Sequence, residues 1–197
     1  MINKKHTQPL IIILALLVVA ACAIAIAIGT GKDTSNIIPK KIPKKTPMLD
    51  INLVTMTTND DSQTQISQNI QAAQLTNTWY VVKKNGVGSG YSSDSFHPLQ
   101  RRSGYDDVTL SLNNGGTITL LFSDKYMPQS VSVHRWNAEY AGKDLVDPWG
   151  KAESINVVSN TFQVSDDGND YIYEVNANWQ EGKSSYVFRI DSNLPLW

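Results

Sequence analysis

From Thr78 onward the chain alternates apolar and polar side chains. Val108, Leu110 and Leu112 are separated by Thr109 and Ser111, and Ile118, Leu120 and Phe122 by Thr119 and Leu121. Asn113-Asn114-Gly115-Gly116 lies between these runs, and its residues accept positive φ at little cost, which predicts a hairpin. Val131 and Val133 alternate with Ser132 and His134. Tyr171, Tyr173, Val175, Ala177 and Trp179 make one face against Ile172, Glu174, Asn176 and Asn178. Tyr186, Phe188 and Ile190 face one way in the last run, and Gln180-Glu181-Gly182-Lys183 joins it to the preceding one as a hairpin. A period of two with one polar face predicts antiparallel strands wet on one side. Two such sheets must bury their apolar faces against each other. No amphipathic helix pattern follows residue 78.

The pattern differs ahead of Thr78. Ile51, Leu53 and Val54 predict a first strand, whereas Asn59 to Asn77 is polar and glutamine-rich, with Ile66, Ile70 and Ala73 at helical spacing. That stretch reads as loop or short helix. Residues 29–49 repeat the unit Ile-Pro-Lys-Lys at 38–41 and 42–45, with prolines at 39, 43 and 47, which forbids a helix and predicts an extended spacer. Residues 1–28 contain an unbroken apolar run, Leu10 to Ile28. At about 1.5 Å per residue this helix would be long enough for a hydrocarbon core of about 30 Å. The division that follows is 1–28 signal or membrane segment, 29–49 linker and 50–197 β-sandwich domain.

Three readings of the N-terminal run stay open. A retained signal-anchor uses all of it. A lipoprotein uses Val19-Ala20-Ala21-Cys22, with Cys22 as the lipidated residue. A cleaved signal peptide uses the small-x-small pattern Ala25-Ile26-Ala27. Lys4 and Lys5 precede the run, while Lys32, Lys40, Lys41, Lys44 and Lys45 follow it. Counted alone, these lysines favour a cytoplasmic C-terminus. The short charged start and apolar core nevertheless resemble an export signal, and on that ground the domain is expected outside the cytoplasm.

Charge sharpens the division. Residues 1–49 hold seven lysines and one aspartate, residues 50–197 ten Lys/Arg and seventeen Asp/Glu, so a net charge of −1 conceals a basic start and an acidic domain. An acidic domain does not displace counterions from phosphate backbones, which argues against nucleic acid as a partner. The basic linker instead suits anionic headgroups or wall polyanions. The sole cysteine is Cys22, so the domain contains neither a disulfide framework nor a thiolate metal site.

The candidate chemistry is sparse. Neither His97 nor His134 has a second metal ligand two to four residues on, and no zinc site is expected. His97 precedes Pro98, which favours extended geometry, and Asp94-Ser95-Phe96-His97-Pro98 reads as a turn capped by Asp94 or Ser95. Gly86-Val87-Gly88-Ser89-Gly90 is followed by no helix and reads as a loop rather than a phosphate cradle. Asp166-Asp167-Gly168-Asn169-Asp170 concentrates the oxygen ligands that calcium takes, but it lacks the spacing of a calcium-binding loop and reads as a turn. The long connection Trp136 to Glu153 carries Trp136, Tyr140 and Trp149. Such aromatics either plug the open end of a sandwich or stack on a sugar or a protein partner.

Two resemblances add to this. Asp167-Gly168 ahead of Tyr171-Ile172-Tyr173 resembles the corner of immunoglobulin-type sandwiches where a tyrosine hydroxyl ties strand to loop. The fold implied is all-β, an immunoglobulin-like β-sandwich of about seven strands, preceded by an N-terminal transmembrane or signal helix. Further, Asp94-Ser95-Phe96-His97-Pro98-Leu99, Ser130-Val131-Ser132-Val133-His134-Arg135-Trp136, Tyr171 to Val175 through Trp179, and Tyr186-Val187-Phe188 resemble a domain of Firmicutes envelope proteins. That domain occurs in small lipoproteins and in the extracytoplasmic tails of membrane metallopeptidases related to β-lactam sensors. The resemblance implies location and fold but no activity, and the His-Glu-x-x-His signature of such peptidases is absent from this chain.

The expectation is a membrane-tethered, non-enzymatic module outside the cytoplasm, without cofactor or metal. Its partners are the membrane, through the N-terminal segment, and an envelope protein or wall glycan, met by Trp136, Tyr140, Trp149 and His97. The alternative is a sensor-accessory or protease-inhibitor-like domain beside a membrane peptidase.

Overall fold

The computed structural model describes residues 42–59, 62–82, 86–101, 104–112, 115–123 and 126–192. The N-terminal run with Cys22, the first part of the linker, Asn113-Asn114 and Trp197 lie outside the described residues. Among the described residues there are eleven strands, against the seven or so expected: β1 (Leu49–Asn59), β2 (Ser62–Gln71), β3 (Ala73–Val82), β4 (Gly88–Ser93), β5 (Thr109–Ser111), β6 (Gly116–Phe122), β7 (Ser130–Asn137), β8 (Glu153–Ile155), β9 (Thr161–Val164), β10 (Tyr171–Asn178) and β11 (Gly182–Asp191). The other regular elements among the described residues are single 3-10 turns. Among the described residues no helix is long and apolar enough to cross a membrane.

The strands form two sheets. One runs β2-β1-β6-β9; the other runs β4-β3-β11-β10-β7-β8, with β5 beside β11. All pairings are antiparallel except β5 with β11. Their facing sides make the core. Leu49, Ile51, Leu53, Ile118 and Leu120 meet Val133, Val175, Tyr186 and Phe188, all essentially inaccessible. Aromatic contacts bridge the layers: Phe162 stacks on Tyr173 at 5.8 Å and Phe122 meets Trp179 edge-on at 5.5 Å. The expected all-β sandwich is present, with Trp179 inward at 6% exposure.

Several local expectations are overturned. The described part of Asn59–Asn77 is neither loop nor helix but the end of β1, all of β2 and the first half of β3; β2 keeps unbroken register with β1 from Asp50↔Gln71 to Asn59↔Ser62, and β3 pairs in the other sheet. The apparent helical spacing of Ile66 and Ile70 is also an even spacing, and both residues sit on the inner side of β2. The runs around Asn113-Asn114 do not pair as a hairpin. Leu110 pairs with Ile190 in one sheet, whereas Ile118 pairs with Leu53 and Phe162 in the other. β5 and β6 therefore belong to different sheets. Gly88 and Gly90 stand in β4 rather than in a loop. A Cβ at Gly88 would lie 1.8 Å from the Tyr80 hydroxyl, so the glycines make room for that ring.

The polar face expected on β10 is covered as well. Ile172 is fully buried and Glu174 is 5% exposed, because the 3-10 turns Pro98–Gln100 and Asp106–Val108 pack on β10 and β11. Finally, the end of the proline-rich segment belongs to the folded unit. Thr46 and Pro47 are buried. The Tyr186 hydroxyl donates to the Pro47 carbonyl, and Trp79 Nε1 donates to that of Pro43 at 3.0 Å.

Candidate functional site

β7 places His134 and Trp136 two residues apart, hence on one side of its sheet, with Val133 on the other. Trp136 is fully buried, and its Nε1 donates to the Pro148 carbonyl at 2.8 Å. That bond anchors the next turn. Asp147 Oδ1 accepts from Gly150 N at 2.9 Å, Trp149–Lys151 closes as a 3-10 turn, and the Trp149 ring is carried back over Trp136 at 5.3 Å between centroids. The tight turn expected at Trp149 is thus present.

His97 arrives from the other loop. It is extended (φ −52°, ψ 145°), as Pro98 dictates, and its own Nδ1 caps the following 3-10 turn by accepting from Leu99 N at 3.2 Å. The cap is therefore His97 rather than Asp94 or Ser95. Accepting at Nδ1 puts the imidazole proton on Nε2, which is buried without a hydrogen-bond partner. The ring stands nearly perpendicular to Trp136 at 5.0 Å and to Trp149 at 4.8 Å, so the two indoles flank it. Burial lowers the His97 pKa, which keeps the ring neutral at neutral pH. His134 completes the cluster, 6.1 Å from Trp149 and 6.4 Å from Trp136. The two loops are tied by Gly142 N donating to the Leu99 carbonyl at 2.9 Å.

The structure thus joins three of the four predicted recognition residues in one cluster and divides their roles. Trp136 is corrected from a contact residue to a core residue, since none of its surface is open. Trp149 remains 53% exposed. Tyr140 is half-buried and stands apart from these ring contacts, with the Lys143 ammonium 5.9 Å from its ring centroid. Beside the cluster lies a cleft of about 440 Å³ between Phe96, Gln100 and Arg101 on one loop and Gly142, Lys143 and Asp144 on the other. A smaller hollow of about 50 Å³ connects the neighbourhood of His97 with Leu145 and Pro148. Phe96, 55% exposed, was not among the predicted contacts. Its position one residue before His97 was the available signal.

Sequence reasoning also missed Glu174. It pairs in register with His134, accepts from Asn176 Nδ2 at 3.0 Å, and has its pKa raised by burial. Alternation had assigned it to solvent. Elsewhere, the carboxylates of Asp166, Asp167 and Asp170 are committed to structure. Asp166 and Asp167 accept from Gly168 N and Asn169 N, Tyr171 donates to Asp167 at 2.7 Å, and Asp170 pairs with Arg189 at 2.7 Å. Tyr171 is thus tied to the Asp167 side chain, and the segment Asp166–Asp170 is held by short-range hydrogen bonds and by Arg189. A second cleft, of about 410 Å³, is lined by Met48, Ile70, Gln74, Asp107 and Tyr186 among others. Its ionisable groups are likewise engaged: the hydrogen bonds from Arg101 hold Asp107 below the usual carboxylate range, and burial pushes Tyr186 up to about 12. Among the described residues no three His, Cys, Asp or Glu side chains converge as metal ligands.

Comparison of the chain with protein-family models, curated proteins and solved structures gives no match.

Proposed function

We propose that the chain is a membrane-tethered, extracytoplasmic recognition module of the immunoglobulin-like sandwich type, without catalytic activity, that binds an envelope protein or wall glycan through the face around Trp149. One observation carries this reading. Trp149 is more than half exposed, yet its ring is held edge-on by His97 and Trp136 and its turn by Asp147 and the bond to Pro148. A rigid, exposed aromatic loses little conformational freedom on binding and suits stacking on a sugar ring or insertion into a protein pocket. Gln100, Lys143 and Asp144 rim the adjoining cleft with donors and acceptors. The apolar run at 10–28 and the basic linker support the tether, and the tie between Tyr171 and Asp167 supports the immunoglobulin-like type.

A second reading, a sensor-accessory or inhibitor-like domain beside a membrane peptidase, draws on a specific coincidence. The segments that carry the resemblance to envelope-protein domains, Asp94–Leu99 and Ser130–Trp136, supply His97, His134 and Trp136, which meet here.

Trp149→Ala should cost about 1 kcal/mol of stability while abolishing retention of the full chain on immobilised wall glycan or envelope proteins. Thermal melts and retention on each resin measure the two effects. Unfolding of the variant, or undiminished retention, would remove the basis of the reading.

A further inference from the structure

We propose that β2 is a self-pairing edge, through which two copies of the chain join antiparallel about a two-fold axis at Gln68. β2 ends its sheet. Exposed edges are ordinarily blunted by brevity, charge, proline or a bulge. β8 and β9 are three and four residues long. β2 is ten residues long, Ser-Gln-Thr-Gln-Ile-Ser-Gln-Asn-Ile-Gln, with no charge, proline or glycine, and it keeps continuous register with β1. The remainder of residues 50–197 carries seventeen carboxylates. An uncharged strand is where two acidic copies approach at least electrostatic cost.

The occupant follows from the order of residues. An antiparallel partner centred on Gln68 sets Gln65 against Gln71, Ile66 against Ile70 and Ser67 against Asn69, on both sides of the axis. Even positions meet even positions, so the inner sides of the two sheets stay on one side. This register sets each isoleucine against an isoleucine, and both residues are half-buried in the single copy. It also lengthens an existing polar ladder, since Asn52 Nδ2 already donates to Ser67 Oγ at 2.7 Å and Asn69 Oδ1 at 2.8 Å. The middle of the strand is fixed beforehand. Gln68 Nε2 donates to the Ser111 carbonyl at 2.6 Å, and Gln68 Oε1 accepts from Ser111 N at 3.0 Å. An unrelated peptide could add to the same edge, but only a second copy satisfies this pairing.

The test is sedimentation equilibrium of the full chain in neutral detergent over a concentration series. The wild type should show a monomer–dimer equilibrium. Gln65→Lys with Gln71→Lys places like charges opposite each other twice and should weaken the dimer about tenfold. Gln65→Lys with Gln71→Glu places opposite charges there and should restore it. Trp149→Ala, outside β2, should leave it unchanged. Thermal melts establish that the variants fold. A wild type monomeric at all concentrations, a dimer indifferent to the lysine pair, or equal weakening by both double variants would overturn the proposal.

Discussion

Two tryptophans in one cluster show how residue type and residue role separate. Trp136 lies between Arg135 and Asn137 and Trp149 between Pro148 and Gly150, yet one is sealed and the other is open. The difference lies in the backbone. Trp136 is still in β7 and points onto the covered side of the sheet, while Trp149 is delivered by a turn on top of it. Trp136→Ala should therefore cost about 3–5 kcal/mol in chemical denaturation, well above the effect of the same change at 149. Equal costs would mean that the division is wrong. Glu174 makes a pH prediction. Burial raises its pKa above the ordinary 4.5, so the folded state keeps the proton to higher pH than the unfolded chain. The stability it contributes is full at pH values below the unfolded pKa and is lost as pH rises through the folded one. Glu174→Gln removes that loss. Its melting temperature should exceed the wild type's at pH 8 and converge with it toward pH 4; a constant offset would contradict the assigned cause. Alternation could not reveal Glu174, because what covers that side is a pair of loops remote in sequence.

At the scale of elements, strands with apolar alternation were legible and strands built from glutamine, serine and asparagine were not. β10 and β11 are announced by Tyr171, Tyr173, Tyr186 and Phe188, and their hairpin by Gly182. The latter has to be glycine because a Cβ would fall 1.9 Å from the Thr78 carbonyl oxygen. β2 shows only Ile66 and Ile70 to the core, too few points to separate a period of two from a helical one. Its placement is decided by β1, which pairs with it along its whole length, and by Gln68, which stitches the open margin of the sandwich to β5. Gln68→Ala removes two hydrogen bonds and strands the Ser111 main chain. A cost of about 1–3 kcal/mol is expected, measured by urea denaturation with tryptophan fluorescence as the probe. An effect near zero would show that the stitch is incidental. That β5 and β6 lie in different sheets rather than in one hairpin has a similar origin: alternation is the same in both cases, and only the partners of the two strands distinguish them.

For the whole molecule, the acidic sandwich holds several ionisable groups in hydrogen bonds, and one exposed aromatic face among the described residues lies between the loops at 94–101 and 138–152. The candidate site was legible in part. Trp149 and His97 could be singled out by their turn context, whereas Phe96 and Glu174 required the packing. The central claim is that Trp149 meets the partner while the buried tryptophans do not. It is tested most directly by fluorine NMR of the full chain labelled with 5-fluorotryptophan, titrated in separate arms with solubilised wall glycan and with solubilised envelope proteins. The Trp149 resonance, assigned by its loss in Trp149→Ala, should shift in one arm while those of Trp79 and Trp179 stay fixed. A Trp149 resonance unmoved in both arms, or a shift confined to the buried rings, would contradict the account.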